Sequence, residues 1–205
     1  MTRTLAVACL LVLIYALAMA ANVQTPSCRG ALLIIDVQKA WLTRDALTAD
    51  GAWLPEKANT LADAARNEGI PVIFIIDVAY RHRFSAKQLE LAPPLEALAD
   101  DYVVEKRHPN GFQASQLEPL LRRLGVHTLL ISGYATSECV KATLEGGLAL
   151  GFDIVVVEDS HSGGLRGMRA AVWNAVWKGA GLQVVTSSEI DFAALRDPSA
   201  KEQGS

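Results

Sequence analysis

The sequence predicts a single α/β domain built on a mostly parallel, six-stranded sheet with helices on both faces. Three observations carry that expectation. Short aliphatic runs recur along the chain without polar alternation, as strands buried on both faces require. Between them lie segments with apolar residues at helical spacing, several closed by a glycine. The 205 residues, 51% hydrophobic and 20% charged, suit one buried core rather than a disordered chain.

The elements follow in order. Ala31 to Ile35 is a continuous aliphatic strand. Pro55 to Gly69 reads as a helix, with Pro55 at its start, Leu61, Ala64, Ala65 and Glu68 at helical spacing, and Gly69 as its stop. Pro71 to Ile76 is a second buried strand and Tyr102 to Glu105 a shorter third one. Ser115 to Leu124 forms a helix ended by Gly125, before a fourth strand over Thr128 to Ser132. Ser137 to Leu150 is helical up to Gly151, and Ile154 to Val157 is the fifth strand. A last helix over Met168 to Gly179 leads to a sixth strand, Leu182 to Val185. Strand–helix alternation of this kind makes parallel sheets. The domain spans residues 31–196, with an arm over 21–30 and a polar tail over 197–205.

The first twenty residues stand apart. Arg3 precedes an uncharged, Leu- and Ala-rich run from Leu5 to Met19, and Ala18-Met19-Ala20 offers a small-x-small cleavage site. That is the layout of a secretory signal peptide, and it predicts export to a periplasm or the outside. An uncleaved anchor is the alternative reading, because the run is marginal for spanning a bilayer. Any membrane contact is expected only through this segment, before cleavage.

Composition narrows the function. Nineteen Lys and Arg against 22 Asp and Glu give a formal charge of −3, which offers no reason to expect nucleic acid as a partner. Three cysteines are too few for a disulfide scaffold. Ligands of open parallel sheets bind beyond the carboxyl ends of the strands. Asp36 follows the first strand there, Lys106 the third, and Cys139 lies just past the fourth. An acid, a cation and a thiol on one rim suit covalent acyl transfer. A thiol with a pKa near ~8.5 needs help to ionise. Thr136 as N-cap would put Cys139 in the first turn of its helix, where the dipole and Lys106 favour a thiolate. Asp36 accepts the thiol proton, and the backbone N–H groups of that turn are candidates to hold an oxyanion. Glu138 works against ionisation unless it points outward.

At these residues the chain resembles the isochorismatase-like cysteine hydrolases. Leu32 to Gln38 is similar to the family's first strand with its aspartate, Glu105 to Phe112 to its lysine segment, Gly133 to Thr143 to its nucleophile segment, and Gly151 to Asp159 to the strand that follows. The resemblance implies a three-layer α-β-α, Rossmann-like fold and an Asp-Lys-Cys triad of Asp36, Lys106 and Cys139. It also implies a cis peptide between Tyr134 and Ala135, with the N–H groups of Ala135 and Cys139 forming the oxyanion hole. Most relatives with the cysteine hydrolyse small amides through a thioester, so an amide or carbamoyl C–N bond is the expected target. A vinyl-ether or ester hydrolase on the same fold and a non-catalytic exported binding protein are the alternatives.

Departures from the family matter. Nicotinamidases carry an Asp-x-His pair and further His ahead of the lysine segment, whereas Arg44 to Pro55 holds Asp45 and Asp50 but no His. Asp77 and His82 are too few for a metal site. His108, His127 and His161 are each isolated and read as structural or surface groups. No metal and no cofactor are expected. Gly163 to Gly167 reads as a flexible turn, and Gly146-Gly147 as a pair allowing close packing on the sheet. Gln38, Trp41, Phe112 and Tyr134 are candidates to wall the pocket, with Arg107 and Arg44 nearby, for a small neutral or anionic amide. Trp173 and Trp177 suit the core or a subunit interface, and a homo-oligomer is the expected assembly. Cys28 enters the amino end of the first strand. A strand of five residues at ~3.3 Å each puts it roughly 17 Å from Cys139, beyond the ~7 Å a disulfide spans. Cys139 is therefore expected to stay a free thiol.

Overall fold

The computed structural model describes residues 30–45, 53–163 and 170–196. The leader, the N-terminal arm with Cys28, the polar tail and most of the Gly163–Gly167 turn lie outside the described residues. No described helix is long and apolar enough to cross a membrane.

Six strands form one sheet: β1 (Gly30–Ile35), β2 (Val72–Asp77), β3 (Tyr102–Lys106), β4 (Thr128–Gly133), β5 (Asp153–His161) and β6 (Gln183–Val185). Their spatial order is β3-β2-β1-β4-β5-β6. Every pairing between them is parallel. The expected α/β class, sheet and helical layers are therefore all present. The helices are α1 (Lys39–Asp45), α2 (Leu54–Asn67), α3 (Ala86–Leu89), α4 (Leu117–Arg123), α5 (Lys141–Ala149) and α6 (Ala170–Gly179).

Alternate residues of each strand feed two cores, as the period of a strand dictates. Leu33, Ile35, Ile73, Ile75 and Ile131 pack beneath α4, α5 and α6 with Leu121, Leu144 and Trp177. Leu32, Ile34, Val72, Phe74 and Leu130 face α2 through Leu54, Ala58, Leu61 and Ala65. All six residues of β1 are buried, which is why that stretch of sequence shows no polar alternation. Trp177 belongs to the first core, and Trp173 packs on it.

The boundaries differ from the sequence reading where tertiary pairing extends a run. Lys106 closes β3 rather than following it, because the ladder continues through the Asp77–Lys106 pair. β5 runs on to His161, which pairs with Gly133. Helices α1 and α3 escaped the reading because both are short. A capping box, Ser85 with Gln88, was the available signal for α3. The glycine pair also splits. Gly147 packs on the sheet, where an added Cβ would lie 3.0 Å from Ile154. Gly146 instead faces Asn110, 2.5 Å from where its Cβ would stand, and so lets the lysine loop lie on α5.

Gly133 is the tightest point of the sheet. Its φ is +126, and a Cβ there would fall 2.2 Å from the Ile35 carbonyl oxygen. Gly133→Ala should destabilise the protein by roughly 3 kcal/mol or more or prevent folding. Urea denaturation of the purified variant measures the loss.

Candidate active site

Three strand ends build the site. Asp36 follows β1 at a φ of 52, the left-handed region that Asp tolerates better than most residues. Its N–H donates to the Ile75 carbonyl and its own carbonyl accepts from the Gln38 N–H. The chain thus turns sharply, and the Asp36 side chain stays inside, 2% exposed. Lys106, at the end of β3, is 1% exposed. Its ammonium lies 2.8 Å from Asp36 Oδ2, 3.3 Å from Cys139 Sγ, 3.2 Å from the His108 carbonyl oxygen and 3.5 Å from Asp77 Oδ2. The acid, the cation and the thiol expected on one rim are in direct contact through Lys106.

Cys139 arrives by a different local structure from the one expected. After β4 the Tyr134–Ala135 peptide is cis, and residues Thr136–Val140 form a single π-helical turn that runs into α5. Thr136 does not cap this turn with its side chain. Its buried hydroxyl instead meets the Ser162 carbonyl and His161 Nδ1 at 2.9 Å. His161 Nε2 donates to Asn174 Oδ1 at 2.8 Å, tying α6 to the nucleophile turn. Burial holds the His161 pKa below its usual value, against the pull of Asn174 and Glu158. It is not the isolated group that its place in the sequence suggested, but bridges Thr136 and Asn174.

The charges settle the resting protonation. Burial raises the Asp36 carboxyl to about 6, against the lowering effect of Lys106, and Asp77 adds to the rise. Burial disfavours the Lys106 ammonium, yet Asp36, Cys139 and Asp77 together hold its pKa above the ordinary lysine value. Burial pushes the Cys139 thiol up, Asp36 pushes it further, and Lys106 only partly opposes them. The net effect on the thiol is upward, toward its protonated form. Lys106 does lower the thiol pKa, as expected, while burial and the facing carboxylate push the other way. Glu138, the neighbour in sequence, is exposed.

A cavity of about 180 Å³ opens above these groups, lined by Asp36, Asp77, Cys139, Trp41, Tyr80 and Tyr134, with Ala135 beside the thiol. Trp41 stands edge-on to Tyr80 at 5.4 Å and to Phe84 at 5.2 Å. Two expected wall residues lie elsewhere. Phe112 stacks on Phe152, 5.7 Å away, because the Gly111 N–H donates to Thr143 Oγ1 and draws the loop onto α5. Gln38 is fully buried. Its Nε2 donates to the carbonyls of Asp77 and Leu89, and its Oε1 accepts from the Asp77 N–H and the Trp41 indole. With both ends of its amide committed, Gln38 positions the wall rather than contacting a ligand.

Asp77 is the site residue that sequence reasoning missed. It was weighed only with His82 as a metal ligand, although an acid closing a central strand met the criterion that singled out Asp36. Asp36, Asp77 and Cys139 offer three ligand atoms within 4.8 Å of one another. The Lys106 ammonium contacts all three side chains and supplies the counter-charge itself.

The model of the isochorismatase domain matches residues 30–189. The chain belongs to the isochorismatase family. Among its relatives is the ureidoacrylate amidohydrolase RutB of Serratia proteamaculans, 38% identical over 87 residues, which are 42% of this chain and 35% of that protein. The streptothricin hydrolase of Streptomyces noursei is 30% identical over 135 residues, 64% of this chain and 49% of that one. This family member thus spans a third to a half of the length of those two relatives. An isochorismatase family protein from Desulfovibrio vulgaris superposes with a TM-score of 0.72 at 24% identity, covering 82% of this chain and 100% of that one, a likeness of fold.

The Gln38 clamp has a measurable weight. Gln38→Met keeps the volume but leaves the Asp77 and Leu89 backbone groups unpaired in the interior. It should cost about 2–4 kcal/mol of stability, read from the urea midpoint against the parent.

Proposed function

We propose that the protein is an exported cysteine hydrolase that cleaves the C–N bond of a small neutral or anionic amide or carbamoyl compound, through a thioester on Cys139. One observation carries the reading: a buried lysine bonded at once to a carboxylate and to a thiol, at the floor of a small cavity. The names of the relatives, an amidohydrolase and a hydrolase, support the same bond class. The apolar leader supports export.

Asp36 is the base in this mechanism. It takes the thiol proton as Sγ attacks the carbonyl carbon, so that the thiolate forms only during attack. The N–H groups of Ala135 and Cys139 hold the oxyanion of the tetrahedral intermediate. Lys106 keeps the thiolate and Asp36 charge-balanced throughout. Asp36 then returns the proton to the leaving nitrogen as the C–N bond breaks, giving the amine or ammonia and a thioester. Water, deprotonated by Asp36, attacks the thioester. The acid leaves and the proton returns to the sulfur.

Ammonia release from a panel of small amides and carbamoyl compounds tests the reading. Cys139→Ser should lower turnover by about a thousandfold or more while leaving the fold intact. Turnover that survives the loss of the thiol would transfer the chemistry to another group.

The pH profile checks the base. Asp36 must be ionised to act and its carboxyl sits at about 6. Below that value kcat/KM should fall about tenfold per pH unit. Above it the profile should stay flat, because no thiol ionisation is needed.

A further inference from the structure

The mechanism above leaves one cavity group unused. Asp77 is buried, lines the cavity and closes β2, the strand that lies between the Asp36 strand β1 and the Lys106 strand β3. Its Oδ1 accepts the Ala79 N–H at 2.8 Å. Its Oδ2 stands 3.5 Å from the Lys106 ammonium, longer than a hydrogen bond of ordinary length. Gln38 pins its backbone at both the N–H and the carbonyl, and the Ala79 N–H holds one carboxylate oxygen. Across from it Asp36 Oδ1 is buried with no nitrogen or oxygen donor on it, and the Cys139 thiol is the hydrogen-bond partner facing that carboxylate. A buried carboxylate oxygen with only a long contact, as Asp77 Oδ2 has, is costly, and it points to a donor supplied by a ligand.

Both carboxylates lie within 4.8 Å of Cys139 Sγ. A scissile carbonyl carbon at attack distance, ~3–3.5 Å from the sulfur, carries its nitrogen into hydrogen-bond reach of oxygens that close. Two acceptors then face one nitrogen. An unsubstituted –NH₂ has two donors and matches them; an N,N-dialkyl amide or an ester has none.

Resting on the hydrolase reading, we infer that Asp77 is a specificity residue that accepts an N–H of the scissile group, selecting primary amides and terminal carbamoyl groups, so that the product is ammonia. Asp36 faces the second N–H and serves as the proton carrier. The other charged side chains on the wall, Arg107 and Glu138, are exposed to solvent and do not provide a comparable acceptor. If Asp77 acted only as a counter-charge for Lys106, its loss would slow every substrate alike, because all of them use the same nucleophile.

Matched substrates separate these roles: butyramide, N,N-dimethylbutyramide and methyl butyrate, with kcat/KM measured for the parent, Asp77→Asn and Asp77→Ser. Asn keeps the shape and the Ala79 contact but turns a donor toward the substrate; Ser shortens the side chain, draws its oxygen back from the substrate, and is the check on any folding defect in the first variant. The parent should prefer butyramide to its dimethyl analogue by roughly a hundredfold. In both variants the ratio of butyramide to methyl butyrate should drop by roughly tenfold to a hundredfold, the weight of one hydrogen bond to a charged group. An unchanged ratio, whether all rates fall together or none does, overturns the inference. A parent that turns over none of the three overturns the hydrolase reading and the inference with it. That outcome is distinct from loss of selectivity in an active parent.

Discussion

An ammonium without access to water must find its counter-charges inside the protein. Lys106 is that group, and the architecture around it follows from this need. Removing one partner of a buried ion leaves an uncompensated charge, which is far more damaging than losing a surface pair. Asp36 therefore has to turn inward after β1, at the expense of a left-handed backbone conformation. β2 has to end in a second acid, and the thiol has to be delivered from β4 by a turn that brings Sγ to the same nitrogen. The sheet order makes this possible. Lys106 on β3 reaches toward Asp36 on β1 across the end of β2, so the residue closing β2 becomes part of the cluster.

The same cluster sets how the thiol behaves. Two carboxyl side chains and one ammonium crowd the floor of the cavity beside the thiol. A thiolate added beside the Asp36 carboxylate is disfavoured by both burial and that charge, which push the thiol pKa up. In the proposed reaction the basicity thus sits on Asp36 rather than on the sulfur. The walls are held by groups with no part in the chemistry: the Gln38 amide, which joins the ends of β1 and β2 to the segment carrying Leu89, and the His161–Asn174 link beneath the nucleophile turn.

Much of this was legible in the sequence, for definable reasons. Uninterrupted aliphatic runs can only be strands covered on both faces, and residues such as Gly125 and Gly151 marked where helices stopped. Asp36, Lys106 and Cys139 stood out because reactive side chains at strand ends share a rim in any parallel sheet. The failures came from what linear order does not encode. Phe112 and Gln38 adjoin motif residues, but adjacency says nothing about which way a side chain leaves the backbone, and hydrogen bonds to distant segments turned both aside. Thr136 reads as a cap in isolation; its hydroxyl is claimed instead by Ser162 and His161, which are brought near only by β5. Asp77 was passed over because the pairing that carries β2 one residue past its aliphatic run depends on β3.

The parallel order of the strands also governs when the chain becomes chemically active. Asp36, Lys106 and Cys139 lie on segments far apart in sequence, and no hairpin or local helix brings any two of them together. They meet only when β1 has been inserted between β2 and β4, a non-local pairing of the kind that forms slowly. Until then the lysine, the acids and the thiol are separate solvated groups with ordinary properties. The cluster is thus a property of the finished sheet alone, and a nascent or half-folded chain has the three groups but not their contact.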